Sequence, residues 1–111
     1  MIPEIGKQAL QILLEAGNPF LIDVRELQEI EQGMIDGALH IPLGQLTSAF
    51  LLSDQDFLET YGRDKPSKQI DIVCYCRSGV RSANATDYLL QLGYQAVSLE
   101  GGYSSWKSQN P

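Results

Sequence analysis

The fold of this chain is decided by residues 70–81, which read IDIVCYCRSGVR. The apolar run over 70–75 predicts a buried strand, and a helical pattern begins just after Arg81. Cys76 therefore stands where a strand ends and a loop leads into a helix. Such a loop collects unpaired backbone N–H groups and the positive end of the helix dipole, and both stabilise an anion. The anion could be a thiolate, a persulfide or a bound oxyanion.

Strands and helices alternate on both sides of this stretch. The predicted elements, in chain order, are a helix over 4–16, a strand over 20–24, a short surface helix within 25–32, a very short strand late in 33–42, two short helices within 43–61, the strand over 70–75, a helix over 82–92, a strand over 94–99 and a last short helix over 103–107. This order predicts an α/β fold with a mostly parallel central sheet and helices on both faces. Ligands of such folds bind outside the carboxyl ends of the strands, where Cys76 falls.

Length and composition predict one soluble domain over residues 1–111. Hydrophobic residues make up 43 % of the chain and charged residues 20 %, which is ordinary for a globular protein. No stretch approaches the roughly 20 apolar residues that span a bilayer. The first ten residues lack the basic start and the apolar run of a signal peptide, so we expect a cytoplasmic protein.

Charge and cysteine usage exclude several partners. A net charge of −6 argues against nucleic acid and anionic membranes, which require a basic surface. Cys74 and Cys76 lie too close on one strand for an unstrained disulfide. His40 is the only histidine, so thiols and imidazoles cannot complete a zinc site. The sequence predicts no metal and no cofactor.

The loop has what a reactive thiol needs. A cysteine reacts as the thiolate, so its pKa must fall toward neutrality. Loop amides, the helix dipole and the guanidinium groups of Arg77 and Arg81 all favour that charge on Cys76. We expect Gly79 to supply a positive φ or a close backbone approach. Cys74 points to the same face as Cys76 but lies inside the strand, where packing is its expected role and a redox role a minor alternative.

Four motifs in order resemble those of the single-domain rhodaneses, a family of thiosulfate-type sulfurtransferases. They are LIDVR at 21–25, GMIDGALHIP at 33–42, the loop CRSGVR at 76–81 and LEGGYSSW at 99–106. The resemblance covers nearly the whole chain and implies the rhodanese-like three-layer fold. The segment 49–66 further resembles the thiosulfate:glutathione sulfurtransferase branch.

The resemblance implies a covalent mechanism. Cys76 would take a sulfane sulfur from a small anionic donor such as thiosulfate, hold it as a persulfide cradled by the loop that contains Ser78, Gly79 and Val80, and pass it to cyanide, glutathione or a protein thiol. Arg77 and Arg81 would bind the anionic donor.

Residues outside the loop receive supporting roles. We expect Asp23 to anchor backbone N–H groups and Arg25 to pair with a neighbouring acid, with solvated surface roles as the alternative. Met34 and Asp36 stand where the family usually has histidine and proline, so no histidine base is available there. His40 is interpreted as an ordinary residue at a strand end, and Trp106 as an anchor of the core.

Two other functions stay open. Phosphatases and arsenate reductases of related fold have loops one residue longer than the four residues between Cys76 and Arg81, and the shorter loop favours a single sulfur atom. Non-catalytic modules of rhodanese-like fold typically lack the cysteine, which this chain retains.

Overall fold

Five parallel strands form one sheet in the computed structural model, which describes residues 1–17 and 19–108. The strands are Glu4–Ile5 (β1), Phe20–Asp23 (β2), Leu39–His40 (β3), Asp71–Tyr75 (β4) and Gln95–Leu99 (β5). They lie in the order β1-β5-β4-β2-β3, and every neighbouring pair is parallel. The predicted parallel α/β sheet is confirmed. Asn18 and residues 109–111, which the predicted domain includes, lie outside the described residues.

Helices cover both faces of the sheet, as the sequence predicts. They are Lys7–Glu15 (α1), Leu27–Ile30 (α2), Leu46–Leu51 (α3), Asp54–Tyr61 (α4), Val80–Gln91 (α5) and Gly102–Lys107 (α6), with a 3-10 turn at Leu43–Gln45. One core cluster joins the sheet to α3, α4 and α5 through residues such as Phe50, Phe57 and Leu89. A second cluster, on the other face, includes Leu10 of α1 and Trp106 of α6.

Strand β4 lies inside the sheet and carries both cysteines toward one face. It pairs with β2 on one side and β5 on the other. Because side chains alternate along a strand, Cys74 and Cys76 join the core beneath α5, whereas Val73 and Tyr75 join the core of the opposite face. Burial on both faces explains why the strand is apolar after the exposed Asp71.

The start of the chain differs from the sequence-based prediction. Glu4 and Ile5 do not belong to the first helix but form β1 beside β5. The N–H of Ser98 donates to the carbonyl of Pro3 at 2.9 Å, and that of Glu100 to Ile5 at 2.8 Å. A strand of two residues has no periodicity of its own, since it is held only by the backbone of a distant partner. The helix begins after Gly6.

Helix α5 begins at Val80, earlier than the predicted Ser82. The difference affects the site because Val80 and Arg81 belong to the first helical turn, where backbone N–H groups have no partner within the helix. The other predicted helices and short strands are present with small shifts of their ends, and the 3-10 turn before α3 is an addition to the prediction. No helix among residues 1–17 and 19–108 has the length and apolar character needed to cross a membrane.

Removal of the Phe57 side chain tests the larger core. Phe57 is fully buried and contacts the rings of Phe50 and Tyr61, with centroids 5.9 and 4.8 Å away. We expect Phe57→Ala to lower the free energy of unfolding by about 3–5 kcal/mol in urea titrations. The neighbouring Leu58→Ala, at a side chain 45 % exposed, should cost less than about 1 kcal/mol. Equal costs for the two variants would contradict this packing.

Candidate active site

Cys76 lies directly after β4, and its sulfur faces the N-terminus of α5. The residue is 1 % exposed. Its Sγ accepts hydrogen bonds from the N–H groups of Gly79 at 3.1 Å and Ser82 at 3.4 Å, and the Ser82 hydroxyl lies 3.5 Å away. Two backbone N–H groups therefore converge on Sγ, and the Ser82 hydroxyl beside them donates to the carbonyl of Gly79 at 3.2 Å.

These contacts decide which of the two thiols ionises. Burial alone would raise the pKa of the Cys76 thiol, but hydrogen bonds from Ser82, Gly79 and Ser78 outweigh burial and hold that pKa below the ordinary value of cysteine. Cys74 is fully buried, and burial raises the pKa of its thiol to about 12. Cys76 is thus the cysteine whose surroundings favour the thiolate.

The loop has further backbone N–H groups that do not bind the sulfur. The N–H groups of Arg77, Val80 and Arg81 have no hydrogen-bond acceptor among the described residues. Gly79 has a φ of +118°, a left-handed conformation that brings the chain back over the sulfur. The Arg77, Ser78 and Val80 residues are exposed around the opening of the loop.

Helix α6 fixes the orientation of this loop. The N–H of Tyr103 donates to the carbonyl of Cys76 at 2.7 Å, and the N–H of Ser104 donates to the carbonyl of Arg77 at 3.1 Å. Gly102 makes the approach possible, because a Cβ atom there would lie 2.5 Å from the Cys76 carbonyl oxygen. With their carbonyls held by α6, these peptide groups leave their amide side toward the interior of the loop.

The side chain of Arg81 is already paired. Its two terminal nitrogens contact the carboxylate of Glu29 in α2, at 2.6 and 2.8 Å. Hydrogen bonding to Arg81 lowers the pKa of Glu29 to about 2, and the same bond raises the pKa of Arg81. The guanidinium group of Arg81 is therefore committed to α2, and its role in binding a donor stays a prediction.

Asp23 and Arg25 form a buried pair beside the site. Asp23 accepts the backbone N–H of Arg25 at 2.9 Å, and its carboxylate contacts the Arg25 guanidinium at 2.7 Å. The guanidinium also donates to the carbonyl of Gly33 at 2.7 Å and lies 4.2 Å from the centre of the Tyr103 ring. Burial acts to lower the pKa of Arg25, but Asp23 outweighs it and the net shift is upward. Asp23 thus holds a backbone N–H group and Arg25 pairs with an acid, while a supporting role of the two residues in the reaction stays a prediction.

A cavity of about 460 Å³ opens beside the loop. It lies between the loop, α2 and α6, and its lining includes Arg25, Gln28, Glu29, Gln32, Arg77, Tyr103, Ser104 and Lys107. Arg77 and Lys107 have no carboxylate partner among the residues that the structure describes. The opening therefore presents two cations that have no acidic partner in residues 1–17 and 19–108.

Sequence reasoning missed the hydroxyl groups below the sulfur. Ser82 and Ser98 are fully buried, and their oxygens lie 2.7 Å apart. The signal was a serine at position 82, on the stripe of α5 that otherwise carries Ala85 and Leu89 into the core. Glu29 was also missed, since nothing in a linear pattern joins it to a residue 52 positions away.

The remaining candidates lie apart from the sulfur. His40 contacts the carbonyl of Arg25 at 2.7 Å, and Trp106 packs partly buried against the second core. Within the described parts of the chain, no three histidine, cysteine or acidic side chains cluster in a way that could hold a metal ion.

Fold and loop together define an α/β protein with a cysteine, hydrogen-bonded by backbone N–H groups, at the carboxyl end of a parallel strand. The family model for the rhodanese-like domain matches residues 7–109, and the chain belongs to that family.

Known proteins agree with this assignment. A thiosulfate:glutathione sulfurtransferase from Homo sapiens is 35 % identical over 106 residues, which cover 94 % of this chain and 92 % of that protein. A putative mitochondrial thiosulfate sulfurtransferase from Schizosaccharomyces pombe is 42 % identical over 90 residues, or 80 % of this chain and 63 % of that protein. The structure of a human single-domain sulfurtransferase matches with a TM-score of 0.93 and 33 % identity, covering 100 % of both chains. Sulfur transfer is thus the activity that family membership supports.

Substitution of Gly102 tests the contact between α6 and the loop. We expect Gly102→Ala to lower the free energy of unfolding by about 1–3 kcal/mol, because the new methyl group must displace the Cys76 carbonyl at a residue whose φ is +58°. Gly44→Ala is the control, since nothing lies within 4 Å of a Cβ there. Urea unfolding would compare the two variants, and an equal effect would show that the contact is not constraining.

The pH dependence of Cys76 alkylation tests its hydrogen bonds. We expect iodoacetamide to modify Cys76 at a pH below that of an ordinary thiol, while Cys74 stays unmodified in the folded protein. Ser82→Ala removes the hydroxyl beside Sγ and should move the midpoint upward.

Ser78→Ala is the matched control for that experiment, because it removes an exposed hydroxyl from the same loop and keeps the backbone. Intact-mass measurement over a pH series would follow both variants. Identical midpoints for Ser82→Ala and Ser78→Ala would refute the role of the Ser82 hydroxyl.

Proposed function

We propose that this chain, acting as one domain over residues 1–111, moves a sulfane sulfur from thiosulfate or a related donor to a thiol or cyanide through a persulfide on Cys76. The observation that carries the proposal is the arrangement of hydrogen-bond donors around Cys76 Sγ. The backbone N–H groups of Gly79 and Ser82 donate to Sγ, and the Ser82 hydroxyl lies 3.5 Å from it. The N–H groups of Arg77, Val80 and Arg81 have no acceptor in the described part of the chain and would be available to one more atom. We propose that this additional atom is the outer sulfur of a persulfide on Cys76.

The reaction has two substitution steps. The Cys76 thiolate attacks the outer sulfur of thiosulfate, the sulfur–sulfur bond of the donor breaks, and sulfite leaves with the bonding electrons. The acceptor thiolate then attacks the outer sulfur of the persulfide, and the Cys76 thiolate leaves. Cyanide as acceptor yields thiocyanate in the same way. Because hydrogen bonds lower the pKa of the Cys76 thiol, neither proposed step requires a histidine base.

Different groups of the loop would bind the terminal sulfur and the anionic donor. Backbone N–H groups from Arg77 to Arg81 would hold the terminal sulfur, and their fixed dipoles act strongly on a sulfur of a residue that is 1 % exposed. The exposed Arg77 side chain would meet the anionic donor. Gly79 shapes the loop, and Ser78 and Val80 contribute backbone. The Asp23–Arg25 pair supports the site indirectly, because Arg25 holds Gly33 and the Tyr103 ring.

A thiol is the acceptor that the cavity supports best. Its volume of about 460 Å³ and the two cations Arg77 and Lys107 suit a small thiol that carries carboxylates. Glutathione is such a thiol, and one relative is named for it. We further propose a reducing compartment, the cytoplasm in the simplest case, because both cysteines are free thiols.

Intact-mass measurement after treatment with thiosulfate tests the proposal. We expect the wild-type protein to gain the mass of one sulfur atom and to lose it on addition of glutathione or cyanide. Cys76→Ser should gain nothing. Cys74→Ser is the matched control and should behave as the wild type, since the Cys74 thiol is buried and un-ionised. If the wild-type protein acquires no sulfur, the proposal is wrong and a binding role or oxyanion chemistry becomes the better explanation.

A further inference from the structure

We infer that Glu29 determines which sulfur donors the site prefers, because its ion pair with Arg81 cancels one of the two side-chain positive charges of the catalytic loop. This inference rests on the proposed sulfur transfer. According to this inference, the presence of Glu29 makes the site favour singly charged sulfane-sulfur donors relative to the doubly charged thiosulfate. Glu29 is here a specificity-determining residue that acts through Arg81 and does not contact the reacting sulfur.

The geometry of the pair makes the cancellation strong. Both nitrogens of the Arg81 fork contact the two carboxylate oxygens of Glu29, at 2.6 and 2.8 Å. The side chains are only 34 % and 29 % exposed, so solvent screens the pair incompletely. Glu29 Oε1 also accepts the backbone N–H of Glu26 at 3.1 Å. This bond holds the carboxylate on the side of α2 that faces the loop.

The charges around the cavity opening show how much positive charge the Glu29–Arg81 pair neutralises. Arg25 is paired with Asp23, and Arg81 with Glu29. Arg77 and Lys107 are left without an acid among the described residues that line the cavity. A donor with two negative charges gains about twice as much from each exposed cation as a donor with one. Neutralising Arg81 therefore costs thiosulfate more than it costs a singly charged donor.

Glu29→Gln removes the charge with little change of shape. The amide oxygen can still accept the N–H of Glu26, so the start of α2 keeps its capping bond. Two donors with the same reacting sulfur–sulfur bond provide the comparison. Thiosulfate carries two charges and releases sulfite, whereas benzenethiosulfonate carries one and releases benzenesulfinate.

We expect Glu29→Gln to raise kcat/KM for thiosulfate about five- to tenfold at low ionic strength, chiefly through a lower KM. The rise for benzenethiosulfonate should be about two- to threefold. The ratio of kcat/KM for the two donors thus moves toward thiosulfate by about threefold, and added salt should diminish the change. A role of Glu29 limited to bracing the loop would change both donors equally and leave this ratio where it is.

Three further variants distinguish the effect of the Glu29–Arg81 ion pair from the effect of a change in net charge. Glu31→Gln makes the same change of net charge at an exposed acid beside α2 that has no ion pair among the described residues, and should leave the ratio unchanged. Glu29→Asp keeps the charge and should stay near the wild-type ratio. In an Arg81→Gln background, Glu29→Gln should no longer move the ratio, because the charge that it exposes is absent.

An unchanged ratio in Glu29→Gln would overturn the inference, as would an equal change in Glu31→Gln. In both cases persulfide formation by the wild-type protein would leave the proposed function standing. If the wild-type protein forms no persulfide with either donor, the proposed function and this inference fail together. A shift confined to Glu29→Gln and abolished in the Arg81→Gln background would establish the inference.

Discussion

The site depends on two hydrogen bonds in which the first turn of α6 holds the carbonyl groups of Cys76 and Arg77. These bonds fix the peptide planes at the start of the loop, so that the carbonyls of Cys76 and Arg77 point toward α6 and the N–H groups of the same peptides point away from it. The approach is so close that only a glycine fits at position 102. Without this constraint the backbone N–H groups of the loop would have no fixed orientation. A buried thiolate would then lack the hydrogen-bond donors that offset its loss of hydration.

The charge of the sulfur is balanced by dipoles more than by cations. Arg25 and Arg81 each have a carboxylate partner, and only Arg77 among the arginines beside the loop has none in the described part of the chain. Burial works against a charged sulfur, yet hydrogen bonds from the loop and from Ser82 lower the pKa of Cys76 in spite of it. Fixed dipoles would suit the proposed alternation of Cys76 between thiolate and persulfide, because they need no rearrangement between the two states.

The parts of the fold that follow from local patterns could be predicted from the sequence. The buried strand β4, the loop after it and the shared face of Cys74 and Cys76 each depend on neighbouring residues. Contacts between distant residues could not be predicted in this way. Strand β1 exists only through the backbone of β5, and Glu29 meets Arg81 across 52 positions. The hold of α6 on the loop likewise requires the folded sheet, although Gly101-Gly102 lies in a motif that the sequence identified.

A crystal structure of the thiosulfate-treated protein would test the central claim, that the loop is prearranged around a terminal sulfur, most directly. The outer sulfur on Cys76 should lie within hydrogen-bond distance of backbone N–H groups from Arg77 to Arg81. The bonds from Tyr103 and Ser104 to the loop carbonyls should be unchanged. An outer sulfur directed into solvent, or a loop that must rebuild its contacts with α6 to hold it, would contradict the claim.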